Sequence, residues 1–133
     1  MINIEPQIFT RVYDAVKAAF PDCDVKSELD LEPSSVRAVM IEEIGNYSNQ
    51  QTATTDEMEN HAVIDYEVNV FSSKATGRKS DAKAILAVVD GILLGLNFQR
   101  LSTRPASLSN STRYRLVARY TAVVSKNEII FRR

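Results

Sequence analysis

Residues 111–126, STRYRLVARYTAVVSK, alternate in character along most of their length. The odd positions are Arg113, Arg115, Val117, Arg119, Thr121 and Val123, and the even ones are Tyr114, Leu116, Ala118, Tyr120, Ala122 and Val124. A period of two sends successive side chains to opposite faces, so 112–125 is predicted to be a strand with one apolar and one basic face. Tyr114 and Tyr120 fall on the apolar face and read as core residues.

Outward from this strand, a turn at Lys126–Asn127 leads into NEIIFRR, a further short strand. Upstream lie the loop RPASLSNST and a short strand over 98–103. Before that, 81–94 is predicted to be a helix, with Ala82, Ile85, Leu86, Val89, Leu93 and Leu96 on one stripe and Val88 and Ile92 widening it. Ser80 is its predicted cap, Asp81 complements the positive end of the helix dipole, and Gly95 is the predicted C′ residue. Gly91 is expected to permit close packing on the sheet. The stretch 61–73 alternates strongly, with Ala62, Ile64, Tyr66, Val68 and Val70 on one face. A weaker strand covers 36–44, and a short one lies within 23–29. Near the start, Ile8, Val12, Ala15, Val16 and Ala19 make a helical stripe over roughly 5–20, with Pro6 in the first turn and Pro21 ending it. The expected class is α+β, with an antiparallel-rich β-sheet and two main helices packed on one face. All 133 residues read as a single domain, in which 45–60 is a long polar loop.

Composition narrows the function. A hydrophobic content of 44% with 25% charged residues is that of a globular domain able to bury a core. The apolar run 85–96 is interrupted by Asp90 and is too short to cross a bilayer, and MINIEPQIF has no basic n-region. With only Cys23, a reducing cytoplasmic setting is expected. The net charge of −1 conceals a split. Residues 1–96 carry eight Lys/Arg against sixteen acids, a sum of −8, whereas 97–133 carry eight against one, a sum of +7. Such a chain either pairs its two halves across one sheet or presents opposite flanks to other molecules.

No reacting centre is apparent. His61 is the only histidine, with no Cys or His nearby to share a metal. Cys23 lies between Asp22 and Asp24, whose charges disfavour a thiolate. Glu42 and Glu43 are adjacent and point to opposite faces of a strand, and Asp65 and Glu67 share a face suited to basic partners. The four glycines fit no phosphate-binding loop. No enzyme, cofactor or metal is expected.

Two segments, YEVNVFSSKATGRKSDAKAILAVVDGILLGLNF (66–98) and RPASLSNSTRYRLVARYTAVVS (104–125), resemble the tail terminator (tail completion) proteins of long-tailed bacteriophages. The likeness is one of element order and side-chain type and extends over most of the chain. It implies an α/β fold and structural work: a ring, commonly a hexamer, that sits on the last ring of the tail tube, ends tube growth and offers a surface to the head connector or neck protein. DNA passes through the lumen. It implies location in the virion at the tail–head junction, with assembly in the host cytoplasm and no membrane partner. Each interface of a closed ring joins two different patches. The candidate interface or lumen residues are therefore Arg100, Arg104, Arg113, Arg115 and Arg119, facing Glu42, Glu43, Asp65 and Glu67 of the next copy or pairing with them within one sheet. Charge reversal at Arg115 and Arg119 is expected to disrupt a ring without unfolding the monomer if the pairs are intersubunit. In the polar loop, Tyr47, Asn49, Gln50, Gln51, Asp56 and Glu57 are candidates for contact with the tube.

Three other readings compete. A head-completion or neck ring protein would belong to the same assembly. A small α+β enzyme or ligand-binding domain would need convergent polar groups that the sequence does not offer. A nucleic-acid-binding module would use the basic final third, without a recognition motif.

Overall fold

The computed structural model describes residues 2–31, 33–48, 61–106 and 112–131. Its elements run α1 (Glu5–Ala19), β1 (Asp24–Lys26), β2 (Arg37–Ser48), β3 (His61–Ser72), α2 (Arg78–Gly95), β4 (Gln99–Pro105), β5 (Tyr114–Ser125) and β6 (Ile130–Phe131). The six strands form one sheet in the order β1-β2-β3-β5-β4, with β6 added to the end of β5. β1 pairs parallel with β2, and every other pairing is antiparallel. This is the α+β class expected from the sequence.

The alternation in β3 and β5 builds the core. Ala62, Ile64, Tyr66, Val68 and Val70 of β3 join Leu116, Ala118, Tyr120, Ala122 and Val124 of β5 beneath both helices. α1 contributes Ile8, Val12 and Val16, and α2 contributes Ala82, Ile85, Leu86, Val89 and Leu93. Complete burial of such side chains is worth about 1.5–3 kcal/mol each, so these stripes fix both helices on the same face. On the face away from the helices a smaller set, Ala38, Met40 and Phe71, is buried together.

The ends of α2 differ from the sequence reading. The helix starts at Arg78, three residues earlier than expected, after Gly77 at φ 71, and no side chain caps it, so Ser80 is not the cap. At the other end Gly95 is still helical, and Asn97 takes the left-handed C′ position at φ 72. Phe98 N–H donates to the Leu93 carbonyl (3.0 Å) and Asn97 N–H to that of Leu94 (3.1 Å), the paired bonds of a Schellman motif. Asn is one of the few residues that tolerates this conformation, which is why the stop moved past the glycine. Gly91 is exposed, and a Cβ there would meet nothing within 4 Å, so it does not serve close packing. Gly45 does: a Cβ there would lie 3.3 Å from Asp65 Oδ2, next to the bulge that shifts the β2–β3 register between Glu43 and Gly45. β2 continues to Ser48, so the first four residues of the expected 45–60 loop are strand, and 49–60 lie outside the described residues.

Candidate assembly interface

The sheet order turns the charge split along the chain into a split across the molecule. The net-acidic strands β2 and β3, with the uncharged-on-balance β1 beyond them, occupy one side and the basic strands β5 and β4 the other. Where they meet, the pairs close within the chain. Arg119 stands opposite Glu67 in register, with Nε and Nη2 each 3.1 Å from Oε2. Arg115 donates twice to Asn69 Oδ1, at 2.9 and 2.7 Å, and its guanidinium lies 5.7 Å from the Phe71 ring centroid. Asn69 in turn donates to Glu67 Oε1 at 3.2 Å, which links both arginines in one ladder. Asp65 accepts a 2.6 Å bond from the Thr121 hydroxyl. Glu42 lies opposite Glu67 in register.

The remaining candidates separate. Glu43 faces the helix side, where its backbone N–H donates to Glu5 Oε2 at 3.1 Å. Burial, with the Glu5 charge nearby, raises the Glu43 carboxyl above its usual range, and Glu43 Oε1 is buried without a hydrogen-bond partner. Arg100 also faces the helices, with Nη1 3.1 Å from Asp90 Oδ1. The same Asp90 oxygen accepts the Tyr120 hydroxyl at 2.7 Å. Arg104 is exposed on β4, Arg113 precedes β5, and neither makes an ion pair among the described residues. Tyr47 is the penultimate residue of β2 and is exposed. Asn49, Gln50, Gln51, Asp56 and Glu57 lie outside the described residues.

A surface missed by the sequence reading lies at the β4 edge. All seven residues of β4 are exposed, and β4 has β5 on only one side. Its helix-facing side extends beyond the cover of α2. The result is a groove of about 490 Å³ lined by Lys83, Leu86, Ala87, Asp90, Arg100, Thr103 and Leu116. Two cations thus overhang an apolar floor. Only Asp90 gave an early sign, as a charge breaking an apolar helical run; which strand would be left at the edge follows from topology alone.

The residues that suggested chemistry have structural surroundings. Burial pushes the Cys23 thiol up to about 12, well beyond the effect of its flanking aspartates. The His61 ring lies 6.0 Å from that of Phe131, and its Nδ1 has no hydrogen-bond partner. Among the described residues no group of three or more His, Cys, Asp or Glu is placed to hold a metal ion, and no helix is long and apolar enough to cross a membrane.

No protein-family model matches the chain, and no curated protein matches it. Among solved structures, it is similar to a chain of the virion of a native gene transfer agent (GTA) particle, with a TM-score of 0.65 and 21% sequence identity. The match covers 89% of this chain and 91% of the other, so the two share the fold over nearly their whole lengths.

Proposed function

We propose that the protein is a structural subunit of a phage-like virion, a tail terminator that forms a ring on the tail tube, ends its growth and provides the head-joining surface. The observation that carries this reading is the shared fold with a chain of a gene transfer agent virion across 89% of the sequence. It agrees in class with the tail-terminator resemblance of segments 66–98 and 104–125. The division of the sheet into an acidic and a basic side supports heterologous contact between copies, in which one edge of a subunit meets the opposite edge of the next. The partners in this reading are further copies of the chain, the tail tube protein and the head connector, and the work is non-enzymatic.

Negative-stain microscopy of concentrated protein, alone and mixed with tail tubes, tests this. Particles with a central hole, and tubes closed at one end by such a particle, are expected. Binding to the portal complex instead of the tube would convert the reading to a neck ring. A protein that stays monomeric with both would refute it.

A further inference from the structure

The α2–β4 groove has a chemical counterpart on the opposite edge of the sheet. Between β1 and β2 the chain carries Glu28, Leu29, Asp30 and Leu31. Leu29 is 41% exposed and Leu31 is 50% exposed. Single exposed leucines are ordinary, but these two alternate with acids beside the edge strand β1. Asp30 is held by Lys26 at 2.9 Å, whereas Glu28 makes no ion pair among the described residues. The groove offers the complement: an apolar floor of Leu86, Ala87 and Leu116 bordered by Lys83 and by Arg100, the latter paired with Asp90 in the same lining. Lys83 is exposed and likewise makes no ion pair among the described residues. At about 490 Å³ the groove falls within the roughly 300–1,000 Å³ of clefts that enclose ligand-sized groups.

We propose that the 27–31 segment of one copy seats in the α2–β4 groove of the next. Leu29 and Leu31 cover the apolar floor, and Glu28 meets Lys83 with Arg100 beside it. β1 and β4 terminate the sheet at opposite ends, so the contact is head-to-tail and every added copy presents a fresh groove. This rests on the ring reading and names the two surfaces that would build the ring.

Sedimentation velocity over a concentration series tests it with the full chain. Lys83→Glu and Glu28→Lys are each expected to weaken self-association about tenfold or more, since a like charge opposite a partner is costly. The two changes in one chain restore the pair in reversed polarity and are expected to recover most of the loss. Leu29→Asp is expected to abolish association, and all variants should keep the parent melting temperature, because each site is exposed. Wild-type rings indifferent to these changes would overturn the docking surface while leaving the ring reading intact. Variants that keep their rings but lose the tube or the connector would overturn self-docking and give the groove to that partner. A wild type that never associates, even with tubes present, would overturn both.

Discussion

Arg37 shows how a single side chain ties together parts of the molecule that no local pattern connects. Its guanidinium reaches Asp81 at the start of α2 (Nη2–Oδ1 2.9 Å) and Asp22 after α1 (Nη1–Oδ1 2.9 Å). Asp81 also accepts the Ser72 hydroxyl at 2.8 Å. The Arg37 hydrogen bonds hold the Asp81 carboxyl below its ordinary value of 3.8, against the opposing effect of burial. Asp81→Ala leaves Arg37 with Asp22 as its remaining carboxylate and takes the acceptor from the buried Ser72 hydroxyl, so it should cost roughly 1–3 kcal/mol in urea unfolding at neutral pH. The depressed value means that this stability is present above pH 3.8 and lost as pH falls through the lower folded value. The acid limb of the stability curve should therefore flatten in the Ala variant; an unchanged limb would remove Asp81 from acid unfolding. Glu43 has the opposite sign. Its carboxyl is raised above 4.5, so its contribution is most favourable below that pH and is lost as pH rises through the folded value. Glu43→Gln should stabilise at neutral pH, with the gain vanishing below about pH 4 as the native carboxyl protonates. A Gln variant less stable at pH 7 would contradict this.

At the scale of elements, the turn from α2 into β4 depends on one residue in an unusual conformation. Asn97 takes φ 72 and donates from Nδ2 to the Ile130 carbonyl at 3.2 Å, tying the helix stop to β6. Asn97→Gly loses that bond but adopts the backbone freely and should be nearly neutral. Asn97→Ala loses both advantages and should cost about 1–2 kcal/mol, read as a lower melting temperature; equal stability of the two variants would contradict the left-handed assignment. The same element shows where sequence reasoning succeeded. The buried residues Ala82, Ile85, Leu86, Val89 and Leu93 were legible because a helical period against a covered face leaves no other arrangement. The stop was misplaced because glycine is the commoner signal for that conformation, while Asn97 satisfies it with a side-chain bond to a strand more than thirty residues away. Strands β3 and β5 were legible for the same reason as α2. Their register, which sets Arg119 against Glu67 and Val117 against Asn69, depends on pairing between distant segments and was not.

At the scale of the whole molecule, the division of charge along the chain was plain in the sequence, but its consequence depended on strand order. The arginines that stood out most, Arg115 and Arg119, lie in the interior of the sheet order and are partnered there. Charge reversal at both sites should therefore weaken the monomer as well as any assembly. Lys83, exposed on α2, and Glu28, exposed after β1, make no ion pair among the described residues, and nothing in the local pattern around either marks it as lying at a flank of the sheet. The groove that Lys83 shares with Arg100 and Thr103 brings it to the β4 edge, and the sheet order β1-β2-β3-β5-β4 sets that edge at the opposite end from β1, beside which Glu28 lies.

Cysteine cross-linking tests that geometry most directly, because Cys23 is fully buried and will not compete at the surface. A chain carrying both Lys83→Cys and Glu28→Cys, oxidised after assembly and run under denaturing, non-reducing conditions, should give a ladder of covalent oligomers ending at a closed species. Each single variant should give no ladder, since a disulfide needs Cα atoms within about 7 Å and the contact joins unlike patches. Monomer alone from the double variant, or a dimer from either single one, would contradict head-to-tail assembly through these edges.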